Sequence, residues 1–184
     1  LRVLASDMGE YNMAAWGLTE STAAADTAAL FESVIPSLPS GATLRIPAGS
    51  YACDPVAATV GGDLVINGSM AFLTTTNQPS NGDPLFMLTG SGVETLVVDG
   101  LNTIGTRPDE DTTVPENTPD GLQVDNFAEV IVRNSIVRNH YHTGIRAVRV
   151  GVFKAYGNNV SQMGYGGILW HSTGEADVFN NHVS

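Results

Sequence analysis

GLQVDNFAEVIVRNSIVRNHYHT at residues 121–143, GIRAVRVGVFKAYGNNVSQMGYG at 144–166 and GILWHSTGEADVFNNHVS at 167–184 are three versions of one pattern. Aligned on Gly121, Gly144 and Gly167, they repeat with a step of 23 residues. Leu122, Ile145 and Ile168 follow the glycine, and Val124, Ala147 and Trp170 come two positions later. Val130, Phe153 and Ala176 form another column, as do Val132, Ala155 and Val178, and then Val137, Val160 and Val183. Apolar residues two apart, in short runs broken by Asn, Gly and Ser, spell strands with one buried face.

A unit this short cannot close a core by itself, so each copy must stack on its neighbours. Several strands in each 23-residue unit, joined by turns too short for crossover helices, predict a coil in which each unit makes one circuit. Successive circuits then lie about 4.8 Å apart and pair through parallel ladders. The expected fold class is therefore all-β, a single-stranded right-handed parallel β-helix. An antiparallel sandwich with coincidental spacing is the alternative. Asn134, Gly157 and Asn180 share a column, followed by Ser135, Asn158 and Asn181. A sharp corner needs a residue that tolerates positive φ, and stacked Asn side chains can hydrogen-bond up such a column.

The chain has 184 residues, one domain's worth, with eight Lys and Arg against nineteen Asp and Glu and a net charge of −11. That surface repels phosphate backbones and anionic membranes, so no nucleic-acid partner is expected. No apolar run is long enough to span a bilayer, so no membrane insertion is expected, and the N-terminus lacks a signal layout. The single cysteine, Cys53, permits no internal disulfide. Starting at Leu1, the chain looks processed or trimmed, and it stops at Ser184 partway through the third circuit. An uncapped circuit there predicts that the natural protein, or its partner chains, continue.

Residues 1–22 show no period and are expected to be an irregular lead-in. Residues 23–184 are expected to be the N-terminal part of the β-helix domain. Ala23 to Leu38 reads as a capping helix, with Asp26 as N-cap, Leu30, Val34 and Leu38 at four-residue steps, and Pro36 and Pro39 at its end. Irregular circuits follow over 41–119, with strands at Leu64–Asn67, Leu85–Leu88 and Leu96–Asp99, and regular circuits over 120–184. Turn-rich segments such as Thr74 to Asp83 would loop out between the strands.

Asp26-Thr27-Ala28-Ala29-Leu30, then Gly41 through Tyr51 with its Pro47-x-Gly49-x-Tyr51 ending, resembles the opening of the pectate-lyase-superfamily β-helix. With the three repeats, the resemblance covers roughly residues 24–184. It departs from the family pattern at residues 16–22, where a Gly-rich acidic segment is usual. It implies a helix capping the coil and a polysaccharide held on one face, as in polysaccharide lyases, alginate epimerases and phage tailspikes.

Alternation sends Leu122 and Val124 inward and Gln123 and Asp125 outward, with Arg146 and Val148, then Leu169 and His171, at the equivalent outward positions. Stacking is expected to gather Asp120, Asp125, His140, His142, Arg146, Tyr165 and His171 near that face. In the resembled family, lyases and epimerases need a base beside a uronate carboxylate and a cation to stabilise the enolate. The resemblance then offers Arg146 as cation and His140, His142 or Tyr165 as base or acid. Gln123, Tyr165 and His171 are substrate-binding candidates. Tailspike hydrolases use carboxylates, for which Asp120 and Asp125 are the nearest pair. The epimerase signature is absent, since Thr143-Gly144-Ile145-Arg146-Ala147 puts Arg where its Asp would stand.

No cofactor is required by these residues. The segment Thr106 to Pro119 is expected on the surface, and its Asp109, Glu110, Asp111 and Glu116 are a candidate for Ca2+ without the spacing of a calcium loop. Trp170 shares a column with Val124 and Ala147, so it is expected inside or at a cap. Arg133, Tyr156 and Phe179 point outward together, with Ile131, Lys154 and Asp177 two positions earlier, where Lys154 and Asp177 can pair between adjacent circuits. The apolar members of this patch suggest contact with another chain, and by analogy with tailspikes a homotrimer. The function expected is a tailspike-like protein, on a virion surface or extracellular, that binds and can depolymerise a cell-surface polysaccharide. The alternatives are a secreted polysaccharide lyase or related carbohydrate-active enzyme, and a purely structural virion or adhesin β-helix.

Overall fold

The computed structural model describes residues 9–75, 83–107 and 120–184. Strand β1 spans Glu10–Asn12, helix α1 Ala24–Val34, β2 Ala42–Arg45, β3 Gly49–Ala52, β4 Val56–Thr59, β5 Leu64–Thr74, β6 Phe86–Thr89, β7 Thr95–Ile104 and β8 Leu122–Asp125. Then come β9 Glu129–Arg133, β10 Ile136–Arg138, β11 Thr143–Val148, β12 Val152–Tyr156, β13 Asn159–Ser161, β14 Gly166–His171, β15 Glu175–Phe179 and β16 His182–Val183. The fold is mostly β, and every strand pairing among the described residues is parallel.

The strands form an 11-stranded and a 5-stranded sheet. In the smaller sheet the order is β4, β6, β8, β11, β14, so Leu122 pairs with Ile145 and Ile145 with Ile168. In the larger sheet β9, β12 and β15 stack in one register and β10, β13 and β16 in another. The long strands β5 and β7 run through both stacks, which is why the two belong to one sheet. Each regular pairing joins residues one repeat apart, as Val130–Phe153–Ala176 and Val137–Val160–Val183 do.

Those columns face the interior. Leu122, Val124, Val130, Val132, Val137, Ile145, Ala147, Phe153, Ala155 and Val160 are all buried. In the last row the same columns are open to solvent: Trp170 is 47%, Val178 36% and Val183 53% exposed. Trp170 thus occupies the inward column expected of it, where no further strand among the described residues covers it.

The corners carry the positive-φ residues that sharp bends require. Asn134, Gly157 and Asn180 have φ of 54°, 67° and 52°. A second corner repeats at Asn139 and Gln162, and a third at Asn126, Arg149 and Ser172. The third column departs from the expectation of Gly and Asn alone, because a corner imposed by ladders on both sides overrides the cost of a left-handed residue, about 1–2 kcal/mol. The stacked asparagines bond as expected: Asn158 Nδ2 donates to Asn181 Oδ1 at 2.9 Å and to Val132 O at 3.0 Å, while Asn158 Oδ1 accepts from Ser135 N at 3.0 Å.

Helix α1 is shorter than expected and is followed by a 3-10 turn over Ile35–Ser37. Its N-cap is Ala23, and Asp26 lies in the first turn, where its charge suits the helix dipole without capping a backbone group. Thr27, Ala28, Phe31 and Val34 make the buried face, with Phe31 edge-on to Phe86 at 5.2 Å, while Leu30 and Leu38 are only half-buried. The lead-in is more regular than its sequence suggests. Strand β1 pairs with β2, and Met13 and Leu18 are buried. The expected Pro-x-Gly-x-Tyr turn closes on itself, as the Tyr51 hydroxyl donates to Pro47 O at 3.0 Å.

Before β7, Glu94 orders the tight turn at Ser91. Its carboxylate accepts from Ser91 N at 2.8 Å, Ser91 Oγ at 2.5 Å and Val93 N at 3.3 Å. Burial alone would raise this carboxyl, but the Ser91 hydroxyl and the backbone N–H groups outweigh it and bring it down to about 2. A carboxyl depressed by folding stabilises the protein above its unfolded value of 4.5 and loses that contribution as pH falls towards about 2. Glu94→Gln is therefore expected to cost of order 2 kcal/mol at neutral pH, with the gap from wild type closing through this acid window. Urea unfolding at a series of pH values reads it, and a gap independent of pH would contradict the assignment.

Candidate functional site

The centre of the candidate site is Asp120, one residue before the glycine that opens the first repeat. Its carboxyl is buried, with 3% of the side chain exposed. Oδ1 accepts from Thr143 N at 3.0 Å and lies 2.7 Å from His142 Nδ1, and Oδ2 lies 3.4 Å from Arg146 Nη1. Thr143 Oγ1 is also 3.0 Å from His142 Nδ1. With a carboxylate against Nδ1, that nitrogen carries the proton, and Nε2 is the ring nitrogen Asp120 does not engage.

The imidazole of His142 stacks on the phenol of Tyr165 one row on, with ring centres 4.8 Å apart and planes 5° from parallel. Tyr165 is 69% exposed. Arg146, half-exposed, stands in the outward column between Gln123 and Leu169, fixed by the β8–β11–β14 register. Asp120, His142, Arg146 and Tyr165 thus meet, with Gln123 beside Arg146. The strand register sets Arg146, and the loop from Asn139 to Thr143 sets His142.

Three expected members stand apart. His140 faces the core and not the surface: it is fully buried, with Nε2 3.2 Å from Thr103 Oγ1. Burial pushes its imidazole down to about 4, against the opposing effect of a hydrogen bond at Thr103. The left-handed residue Asn139, φ 61°, breaks the alternation before it, and the ring turns inward. Asp125 is also buried, because Arg149 clamps it, with Nε at 2.8 Å from Oδ1 and Nη2 at 2.5 Å from Oδ2. Hydrogen bonding to Asp125 in turn raises the Arg149 guanidinium. His171 is exposed in the column of Asp125 and Val148, in the last repeat.

Sequence reasoning missed Thr143 and Arg149. Thr143 sits beside the repeat glycine, and Arg149 holds a corner position shared with Asn126 and Ser172, a place where alternation gives no direction.

On the larger sheet, Tyr156 and Phe179 stack with centres 5.2 Å apart, and Arg133 bridges Tyr156 Oη at 3.2 Å and Asp99 at 2.9 Å. Lys154 pairs with Glu129 at 2.7 Å, not with Asp177. Both acids flank it, and the longer glutamate side chain reaches the ammonium from the preceding row. The acidic residues 109–111 and 116 lie outside the described residues. Among the described residues no cluster of three His, Cys, Asp or Glu side chains is placed to hold a metal ion. No described helix is long and apolar enough to cross a membrane. Cys53 is buried, and burial chiefly pushes its thiol up to about 12, so it is not a nucleophile.

No family model, no curated protein and no solved structure matches this chain.

Proposed function

We propose that the chain winds as a right-handed parallel β-helix and uses the outer face of the β4–β14 sheet to bind a cell-surface polysaccharide. The all-parallel ladders and the 23-residue register support the coil. Parallel crossovers are right-handed in almost every known case, which supports the hand. The observation that carries the function is the stack of part-buried His142 on exposed Tyr165, above a buried Asp120 and beside Arg146. Sugars present flat C–H faces rimmed by hydroxyls, so an aromatic plate beside a carboxylate–guanidinium pair suits them on both counts.

For depolymerisation, His142 Nε2 is the proton-transfer atom and Arg146 the cation that stabilises developing charge. A hydrolase built on Asp120 and Asp125 is less well supported, because each carboxylate is buried against an arginine. We extend the proposal to side-by-side assembly as a homotrimer on a virion or extracellular surface, for which the Tyr156–Phe179 stack, with Phe179 47% exposed, offers an apolar contact.

The test is binding of the full chain to a panel of bacterial surface polysaccharides by calorimetry, with ultraviolet absorbance to detect unsaturated uronate products and light scattering to read the assembly state. Tyr165→Ala is expected to weaken binding about tenfold, the loss of one aromatic contact. Binding that ignores Tyr165→Ala, or none across the panel, would overturn the reading.

A further inference from the structure

An open cavity of about 210 Å3 lies where helix α1 meets the edge of the smaller sheet, outside the site already described. Among the residues that line it are Glu32 from α1, Pro55 and Ala57 at β4, and Asp83, Pro84 and Met87 at β6. Alternation along these strands buries Val56 and Phe86 and turns Ala57 and Met87 outward, so the floor is apolar. Both charged groups in the lining are carboxylates, and no Lys or Arg stands among the described lining residues. Glu32 is held in place by Ala57, whose N–H, on the open edge of β4, donates to Oε1 at 3.0 Å. Drug-sized ligands occupy about 300–1,000 Å3, so the cavity admits one small ring.

The cavity shares its face with the candidate site. Ala57, Met87, Gln123 and Arg146 form one outward column across β4, β6, β8 and β11. Ala57 and Arg146 are separated by three ladder steps, about 14 Å, too far for one sugar ring to reach both.

We propose that the cavity binds a cationic amino sugar, its ring on the floor made by Pro55, Pro84 and Met87 and its ammonium facing Glu32 and Asp83. An ammonium is a compact charge with three donors, which suits two acceptor-only side chains. The same carboxylates repel an acidic sugar, and the negative field of a chain with net charge −11 concentrates cations at such a cleft. The inference deepens the proposed function and, for the polymer, rests on it. A polysaccharide lying along the column presents an amine at the cavity and an acid at Arg146, so it carries sugars of both signs and is not a homopolymer of uronates. The amine site itself requires only the cavity.

The probe is glucosamine, titrated into the isotope-labelled full chain in mildly acidic buffer, where its amine is charged, and followed by amide NMR shifts. N-acetylglucosamine serves as the neutral ring and glucuronate as the anionic one. Saturable shifts at Ala57 and Met87 are expected with glucosamine, with affinity about tenfold lower for N-acetylglucosamine and no binding of glucuronate. Glu32→Gln keeps an acceptor for Ala57 N while removing the charge. Together with Asp83→Asn it is expected to lower glucosamine affinity about tenfold, with amides elsewhere unmoved. Equal binding of N-acetylglucosamine, glucosamine binding that ignores both substitutions, or unsaturable shifts scattered over the acidic surface would overturn the proposal. Polysaccharide bound with no glucosamine in the cavity would overturn this inference alone. Glucosamine bound here with no polysaccharide bound across the panel would overturn the polymer reading and leave the amine site standing.

Discussion

Gly144→Ala is expected to destabilise the protein by about 2–3 kcal/mol, although only a methyl group is added to a backbone conformation that alanine adopts freely. The reason lies in the packing of β11 against β13. A Cβ at residue 144 would sit 2.3 Å from Val160 Cγ1 and 2.8 Å from Gly167 O. The first and third repeats carry the same contact, with Val137 Cγ1 2.5 Å from a Cβ at residue 121 and Val183 Cγ1 2.2 Å from one at residue 167. The glycine that opens each repeat is thus the socket for the valine that ends it. Val160→Ala removes the closer clash, so the double variant should be less damaged than the sum of the singles by about 1 kcal/mol or more. Rescue stays partial because the backbone oxygen of Gly167 does not move away. Urea unfolding of the four chains in the cycle measures this, and strict additivity would mean that the glycine is not held by the valine.

That pairing explains why the regular half of the fold is legible. Glycine and valine recur in step, so Gly121, Val137 and their counterparts announce both the period and the inward face. Legibility fails where one residue in a corner changes the parity of its successors. After Asn139 the chain turns His140 into the core and leaves His142 outside, and no alternation rule applied to His140-Tyr141-His142 predicts that. Arg149 fails to announce itself for the same reason, since a left-handed arginine is a choice the ladders impose. The strands before the regular repeats hide for another reason. Pairing between β7 and β9 joins Thr95 to Glu129 and that between β5 and β7 joins Leu64 to Leu96, so insertions of unequal length erase the period while the ladders survive. In the candidate site, Asp120 and Arg146 are readable from register, whereas the Asp120–His142 contact and the clamp on Asp125 need coordinates.

Asp120→Ala is expected to cost about 3 kcal/mol of stability and to abolish polysaccharide binding, the second of these resting on the function proposed above. The carboxylate is 3% exposed and serves three donors at once, Thr143 N, His142 Nδ1 and Arg146 Nη1. Removing it strands a buried backbone N–H and a half-buried guanidinium whose Nε already lacks a partner among the described residues. Asp120→Asn separates the two effects. Its amide oxygen can still receive Thr143 N and His142 Nδ1, so the stability loss should fall to about 1 kcal/mol, while its NH2 faces Arg146 and the charge that held the guanidinium is gone. Binding should therefore stay weak in the asparagine variant even though its unfolding midpoint recovers. Tyr165→Ala, at an exposed position, should do the reverse of a core defect by weakening binding with little change in stability. Thermal or urea unfolding set beside calorimetry on the three variants gives the comparison. If Asp120→Asn bound polysaccharide as wild type does, Asp120 would be a structural ligand for Thr143 and not the residue that arranges His142 and Arg146 for a sugar.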